Sequence, residues 1–187
     1  MSLLHLTRYA ILSELQPHQT IGMFGVGNGE DLALFAHRRP AATFIGLGWG
    51  DLTSAYDHVK GFPNVRIIPT NGTHWPLPLE SLDTALVSSD VRDAYMEWQE
   101  LKDGMILEQD FLGQKLVHIS RRVKRHGIVI VYGSLRFVED TCLTITEQTV
   151  FGQDLIIERI RRCSPDGYSS LVCRRAEEVP ENPLSEQ

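Results

Sequence analysis

A glycine-rich turn constrains the fold of this chain more than any other feature of its sequence. The stretch GMFGVGNGEDL, residues 22–32, has Gly25, Gly27 and Gly29 within five positions, directly after the apolar segment TIGMF. The acidic pair that follows suits the first turn of a helix, because carboxylates complement the positive end of the helix dipole. The pattern predicts a buried strand, a tight turn and a helix. Both a bound ligand and a purely structural need for glycine can explain such a turn.

Strand-like and helix-like segments alternate along most of the remaining chain. A first helix is predicted to end before Pro17, and ATFIGLG, VRIIP, DTALVSS and GIVIVYG are predicted strands. DLTSAYDHVK is predicted helical, and so is a stripe formed by Leu112, Leu116, Ile119 and Val123. This alternation predicts an α/β fold with a Rossmann-like, doubly wound and mostly parallel sheet of about seven strands.

The last third of the chain has a different pattern. DLIIERIRR and YSSLVCRR are strand-like and are joined by the turn sequence CSPDG, which predicts an antiparallel hairpin at the sheet edge over residues 155–174. Residues 177–187 contain acids and prolines with few large apolar side chains, so we expect a loose acidic tail. Residues 1–176 are then expected to form a single domain.

The charge and the apolar pattern restrict the classes of partner and the cellular location that we expect for this protein. The net charge is −6 and the pI is near 5.6, which argues against nucleic-acid partners and anionic membranes. A local basic cluster, Arg121, Arg122, Lys124 and Arg125, is interpreted as a solvated helix end. The sequence shows neither an apolar run of membrane-spanning length nor a signal peptide, so a cytoplasmic location is expected.

The cysteines do not predict a disulfide framework or a metal site. Cys142, Cys163 and Cys173 are odd in number and share no CxxC spacing. A disulfide scaffold and a structural metal site are therefore not expected, and the three cysteines are interpreted as reduced thiols.

The order of four segments resembles a known family. MFGVGNGEDLALFA, ATFIGLG, VRIIPTNGTHWPLPLESLDTALVSS and FLGQKLVHISRRVKRHGIVIVYG, within residues 9–131, together resemble the class I S-adenosylmethionine-dependent methyltransferases. The resemblance implies the same sheet and a cofactor site in the glycine turn. It implies the following correspondence: Gly25, Gly27 and Gly29 against the methionine part of the cofactor, Gly48 and Trp49 beside the ribose, and Asn71 with Gly72 at the adenine edge.

Three acidic positions of the family pattern carry no charge in this chain. The acid before the first glycine is Met23, the ribose-binding acid is Gly48, and the adenine-edge Asp is Asn71. Hydrogen bonds to charged groups contribute about 1.5–3 kcal/mol each, so we expect weak or undetectable affinity for S-adenosylmethionine. Asp51 replaces the ribose acid only if its loop bends back.

The sequence identifies few catalytic candidates. Asp90 and Tyr132 stand at the carboxyl ends of the fourth and fifth predicted strands, where open α/β sheets bind ligands, although Asp90 also suits a helix cap. Trp49 has three interpretations: a lid over an aromatic ligand, a side chain filling the space of a missing cofactor, or a helix-packing residue. His74, in the adjacent loop, is interpreted as structural.

Two functions remain open from the sequence. The first is a methyltransferase acting on a small molecule or a protein, and the second is a catalytically inactive, methyltransferase-like binding or regulatory protein. A weaker resemblance to tRNA guanine methyltransferases lacks their Asp-Pro-Trp loop, since the corresponding stretch is SSDVRDAYMEW. The sequence does not determine the substrate, and it leaves a homo-oligomer open.

Overall fold

The chain forms an open sheet with helices on both faces. We describe a computed structural model. It describes residues 3–71, 75–89, 91, 108–147, 155–162 and 168–175.

The helices are α1 (Leu3–Glu14), α2 (Glu30–Arg38), α3 (Thr53–Val59), α4 (Glu108–Ser120) and α5 (Leu135–Glu147), and the strands are β1 (Thr20–Phe24), β2 (Thr43–Gly48), β3 (Val65–Pro69), β4 (Leu82–Ser88), β5 (Val123–Ser134), β6 (Leu155–Arg162) and β7 (Tyr168–Arg175). None of the helices in the described part of the chain has the length and apolarity needed to span a bilayer.

The seven strands lie in the order β3-β2-β1-β4-β5-β7-β6. Strands β1 to β5 pair in parallel, whereas β7 is antiparallel to both β5 and β6. The predicted mostly parallel sheet with an antiparallel edge hairpin is confirmed. The tail at residues 177–187 lies outside the described residues, so its looseness stays a prediction.

Two apolar layers cover the sheet. Helices α1, α2 and α3 pack on one face around residues such as Leu32 and Phe35, and α4 and α5 pack on the other around Phe137. Neighbouring residues of one strand point to opposite faces, so Met23 belongs to the first layer and Phe24 to the second. Because β1 to β5 are parallel, their carboxyl ends lie together at one end of the sheet, between the two layers.

Two details differ from the sequence-based expectation. The sequence pattern places Val123 in a helical stripe, but α4 ends at Ser120 and fully buried Val123 begins β5, opposite Leu82. Val123 follows Ile119 by four residues, which fits helical spacing, but an apolar residue suits an inward-facing strand position equally well. This ambiguity explains why the helical interpretation of Val123 is wrong. The sequence pattern does not predict α5, because the β-branched residues of this helix have modest helix propensity.

The basic cluster is not simply a solvated helix end. Arg122, in the turn after α4, donates from Nε and Nη2 to the Trp75 carbonyl at 3.1 and 2.9 Å. Lys124 lies within β5 and its Nζ donates to Asp83 Oδ1 at 2.7 Å. Arg125 Nε lies 3.7 Å from Glu80 Oε1. Three of the four cations therefore contact the segment before β4 or β4 itself.

Candidate functional site

The carboxyl ends of β1 and β4 form the point where the strand order reverses. Strand β2 lies on one side of β1, and β4 lies on the other. After β1 the chain therefore adds β2 and β3 toward one edge of the sheet, and then crosses back to place β4 on the opposite side of β1. Ligands of open α/β sheets bind in the crevice at such a switch point. Here Ser88, the last residue of β4, donates from Oγ to the Gly25 carbonyl at 2.7 Å. This hydrogen bond joins the glycine turn to the end of β4, at the crevice.

All three glycines of the turn adopt positive φ angles. The values are 82° at Gly25, 50° at Gly27 and 88° at Gly29, as expected for a turn that L side chains rarely tolerate. A Cβ at Gly29 would lie 2.7 Å from the Ala55 Cα, so α3 approaches this glycine closely. At least Gly29 is required by backbone geometry and packing, whatever ligand the turn binds.

The position that resembles the ribose-binding acid is closed by apolar side chains. Gly48 ends β2, and a Cβ there would lie 2.5 Å from Val26 Cγ2 and 2.6 Å from Leu52 Cδ2. Val26 and Leu52 are both buried. The end of β2 therefore offers neither a carboxylate nor the space for one. The residues at this point do not fit the ribose of S-adenosylmethionine in the way that the resemblance implies.

Asp51 does not occupy the missing position. Its Oδ1 accepts a hydrogen bond from the Thr53 backbone N–H at 2.9 Å, at the start of α3. The Thr53 side chain, and then its backbone N–H, lower the pKa of the exposed Asp51 carboxyl through hydrogen bonding. Asp51 therefore stabilises the first turn of α3 rather than replacing Gly48.

Aromatic rings pack at the end of β1, on the α4 face of the sheet. Trp75, which is 1% exposed, meets Phe24 edge-on with ring centroids 5.1 Å apart. The half-buried Trp49 packs against Trp75 at 6.2 Å. Lys115 Nζ lies 5.8 Å from the centroid of the Trp75 ring, and desolvation by burial lowers the pKa of Lys115 to about 8. These contacts form a packed aromatic cluster, defined here as Phe24, Trp75 and Trp49.

The remaining predicted positions divide into described and undescribed residues. Asn71 is exposed and follows Thr70, whose N–H donates to the Gly48 carbonyl at 2.7 Å. Gly72, Asp90 and His74 lie outside the described residues, so their predicted roles stay predictions.

Tyr132 lies where the sequence predicted it, beside the crevice. It is opposite Ser88 in the β4–β5 register and is 5% exposed. Its ring meets Phe35 nearly at a right angle, with centroids 6.4 Å apart. Tyr132 and the buried Met23 both line a cavity. A catalytic role for Tyr132 stays a prediction.

We call that cavity the α1 cavity. It has a volume of about 180 Å³ and lies between α1, the glycine turn and the ends of β4 and β5. Thr7, Arg8, Asp31 and Ser88 contribute polar groups to its wall. The sequence pointed to the strand ends but not to Thr7 and Arg8, because only the tertiary structure brings α1 to this position.

Comparisons with solved structures agree on the fold. A methyltransferase from Aquifex aeolicus, described as S-adenosylmethionine-dependent, aligns over 94% of this chain and 100% of its own, with a TM-score of 0.69 and 11% identity. Geranyl diphosphate C-methyltransferase from Streptomyces coelicolor, in complex with S-adenosyl-L-homocysteine, aligns over 91% of this chain and 76% of its own, with a TM-score of 0.64 and 11% identity.

A third similar structure has a different activity in its description. The [4+2]-cyclase SpnF aligns over 91% of this chain and 80% of its own, with a TM-score of 0.61 and 13% identity. No protein-family model and no curated protein matches the sequence. The chain has the fold of the class I S-adenosylmethionine-dependent methyltransferases. Because one fold hosts many activities, function must be argued from the site.

Proposed function

We propose that this protein is a binding protein built on the methyltransferase fold, and that it does not use S-adenosylmethionine as a cofactor. The observation that carries the proposal is the end of β2. Val26 and Leu52 fill the space beside Gly48, where the fold's cofactor would need a carboxylate acceptor. Hydrogen bonds to a charged acceptor contribute about 1.5–3 kcal/mol each, so losing this acceptor lowers affinity by at least about tenfold.

Two further contacts support the proposal. The packing of Trp49 on Trp75 favours the interpretation in which Trp49 fills space that a cofactor would otherwise take. Met23, at the position of the family's first acid, is 1% exposed and belongs to the core. Attraction for a cationic amino group and sulfonium is therefore missing at this point as well.

Methyl transfer from S-adenosylmethionine to a small molecule or a protein is the second candidate. The glycine turn favours it, since the turn leads directly into the N-terminus of α2 and borders an open cavity. The similar structure from Streptomyces coelicolor, which was solved with S-adenosyl-L-homocysteine, favours it too. A cytoplasmic location suits both candidates, and a homo-oligomer is compatible with both.

Calorimetric titration of the purified protein with S-adenosylmethionine and with S-adenosylhomocysteine separates the two candidates. We expect no binding, or binding weaker than about 1 µM. Submicromolar affinity for either compound would overturn the proposal and favour methyl transfer. Titration of each compound into buffer without protein controls for heat of dilution.

A further inference from the structure

The indole N–H of Trp75 has no acceptor. The side chain is 1% exposed, and its Nε1 makes no hydrogen bond within the described part of the chain. An indole nitrogen only donates, and buried tryptophans usually find an acceptor for it. A buried donor without an acceptor is unfavourable, so such groups are rare in folded proteins. The buried ring therefore offers one hydrogen bond to a group that accepts.

A buried ammonium group lies over the same ring. Lys115 of α4 is 6% exposed, and its Nζ lies 5.8 Å from the centroid of the Trp75 ring. Burial lowers the pKa of Lys115 to about 8, because the charged amine is poorly solvated at this position. Negative charge near the amine would favour its protonated form.

A second cation lies on the backbone side of Trp75. Arg122 donates two hydrogen bonds to the Trp75 carbonyl, and desolvation by burial lowers the pKa of this guanidinium as well. Two partly desolvated cations beside one residue give the region a positive potential. A water molecule satisfies the indole N–H alone, whereas an anion satisfies both the N–H and the positive potential.

Apolar walls restrict the kind of anion that fits. Phe24 and Trp49 pack against the Trp75 ring, and Leu116 of α4 belongs to the same buried layer. A divalent anion such as sulfate is much more costly to bury than a monovalent one, and it needs more donors than one indole and one ammonium group supply. A small spherical ion needs few contacts and imposes little geometry on them.

We propose that Trp75 and Lys115 form a binding site for a small monovalent anion of the halide class, with chloride as the ligand. The ion accepts a hydrogen bond from Trp75 Nε1 and pairs with the protonated amine of Lys115. Both residues lie on the α4 face of the sheet, whereas the side chains that fill the space beside Gly48 belong to the opposite face. The proposal therefore does not rest on the proposed function.

Nuclear magnetic resonance of protein with isotope-labelled tryptophan tests the site directly. Sodium chloride replaces sodium gluconate at constant ionic strength, so that general screening does not change during the titration. We expect the indole proton resonance of Trp75 to move and to saturate, with a Kd of about 10 mM or tighter. The resonance is identified by its absence from the spectrum of Trp75→Phe, and sodium bromide should move it too.

Lys115→Met tests the contribution of the charge. The variant keeps most of the side-chain volume and removes a poorly solvated amine, and its chloride affinity should fall at least about tenfold. Chloride should raise the thermal midpoint of the wild type above its value in gluconate, and this rise should be lost in Lys115→Met. Lys124→Met is the matched control, because it removes a lysine that pairs with Asp83 away from the ring, and it should leave chloride affinity unchanged.

Two results would overturn the proposal. A Trp75 resonance that does not move, or that moves without saturating, would mean that no halide binds and that water is the acceptor. A saturating shift that is unchanged in Lys115→Met would mean that Lys115 does not hold the ion. The wild-type titration decides the first point even if Lys115→Met does not fold. Binding of S-adenosylmethionine bears on the proposed function alone, since neither result depends on it.

Discussion

Trp75 packs edge-on against Phe24, with ring centroids 5.1 Å apart and ring planes at 87°. Phe24 is the last residue of β1, and Trp75 lies in the segment before β4. Arg122 holds that segment by donating two hydrogen bonds to the Trp75 carbonyl. The contact therefore lies on the α4 face of the sheet, opposite the face that carries Met23, which lines the α1 cavity.

Trp75→Ala is expected to destabilise the protein by about 3–5 kcal/mol, since it removes a fully buried ring from a packed cluster. Trp49→Ala is the matched control and should cost less, because Trp49 is only half-buried. Chemical denaturation of both variants measures the difference. A loss below about 1 kcal/mol for Trp75→Ala would contradict the packing role assigned to this ring.

The glycine turn gives a second prediction, for the protein without ligand. Gly27→Ala should reduce the free energy of unfolding by about 1 kcal/mol or more, because φ is 50° at this position. Gly29→Ala should cost more, since it combines a φ of 88° with a Cβ 2.7 Å from the Ala55 Cα. An unchanged denaturation midpoint for Gly27→Ala would instead indicate that the glycine serves a ligand.

Gly61→Ala is the control for backbone strain alone. Gly61 has a φ of 96°, but nothing lies within 4 Å of the position that its Cβ would take. The loss in the free energy of unfolding for Gly29→Ala, minus the loss for Gly61→Ala, therefore measures the steric cost of the close approach of α3. Equal costs for these two variants would mean that α3 moves away without penalty.

Much of the fold could be predicted because its signals are local. TIGMF, the glycine turn and the acidic first turn of α2 are adjacent in sequence, and each favours the structure that forms. Helix α5 gave a weaker signal. Its buried positions Phe137, Thr141 and Ile145 have helical spacing, but Thr and Ile are common in strands too, so only packing on the sheet decides.

The candidate site was harder to predict than the fold. The missing carboxylate at Gly48 is visible in the sequence, but the filling of that space by Val26 and Leu52 is visible only in the structure. Thr7 and Arg8 could not be identified in advance. They reach the α1 cavity because α1 packs on the sheet through Ile11 and Leu12, and Glu14 of the same helix binds Arg159 and Arg161 of the distant strand β6.

Lys115 predicts a pH dependence of stability. Burial lowers its pKa from 10.5 to about 8 in the folded protein, so the unfolded chain binds more protons between these two values. Stability relative to Lys115→Met should therefore rise as the pH increases from about 8 to about 10, and should be flat below about 8. Denaturation of both proteins across this range gives the difference. A difference that does not change with pH would contradict the lowered pKa.

Gly48→Asp tests why the end of β2 is closed. The new carboxylate would meet Val26 and Leu52, and Val26 has little rotamer freedom, so we expect a loss of about 1–3 kcal/mol or more. Gly48→Ala separates the steric part of this loss from the cost of the charge. The single Gly48→Asp variant should not gain affinity for S-adenosylmethionine, because the apolar side chains still occupy the space.

Removing the apolar side chains beside position 48 should allow S-adenosylmethionine to bind more tightly. Gly48→Asp combined with Val26→Ala and Leu52→Ala supplies both the acceptor and the space, so affinity for S-adenosylmethionine should rise at least about tenfold above that of the wild type. Calorimetry of the triple variant measures this gain, and the Val26→Ala, Leu52→Ala double variant shows how much comes from space alone. If the triple and double variants bind the compound equally, the missing carboxylate is not what limits binding, and the argument from Gly48 is wrong.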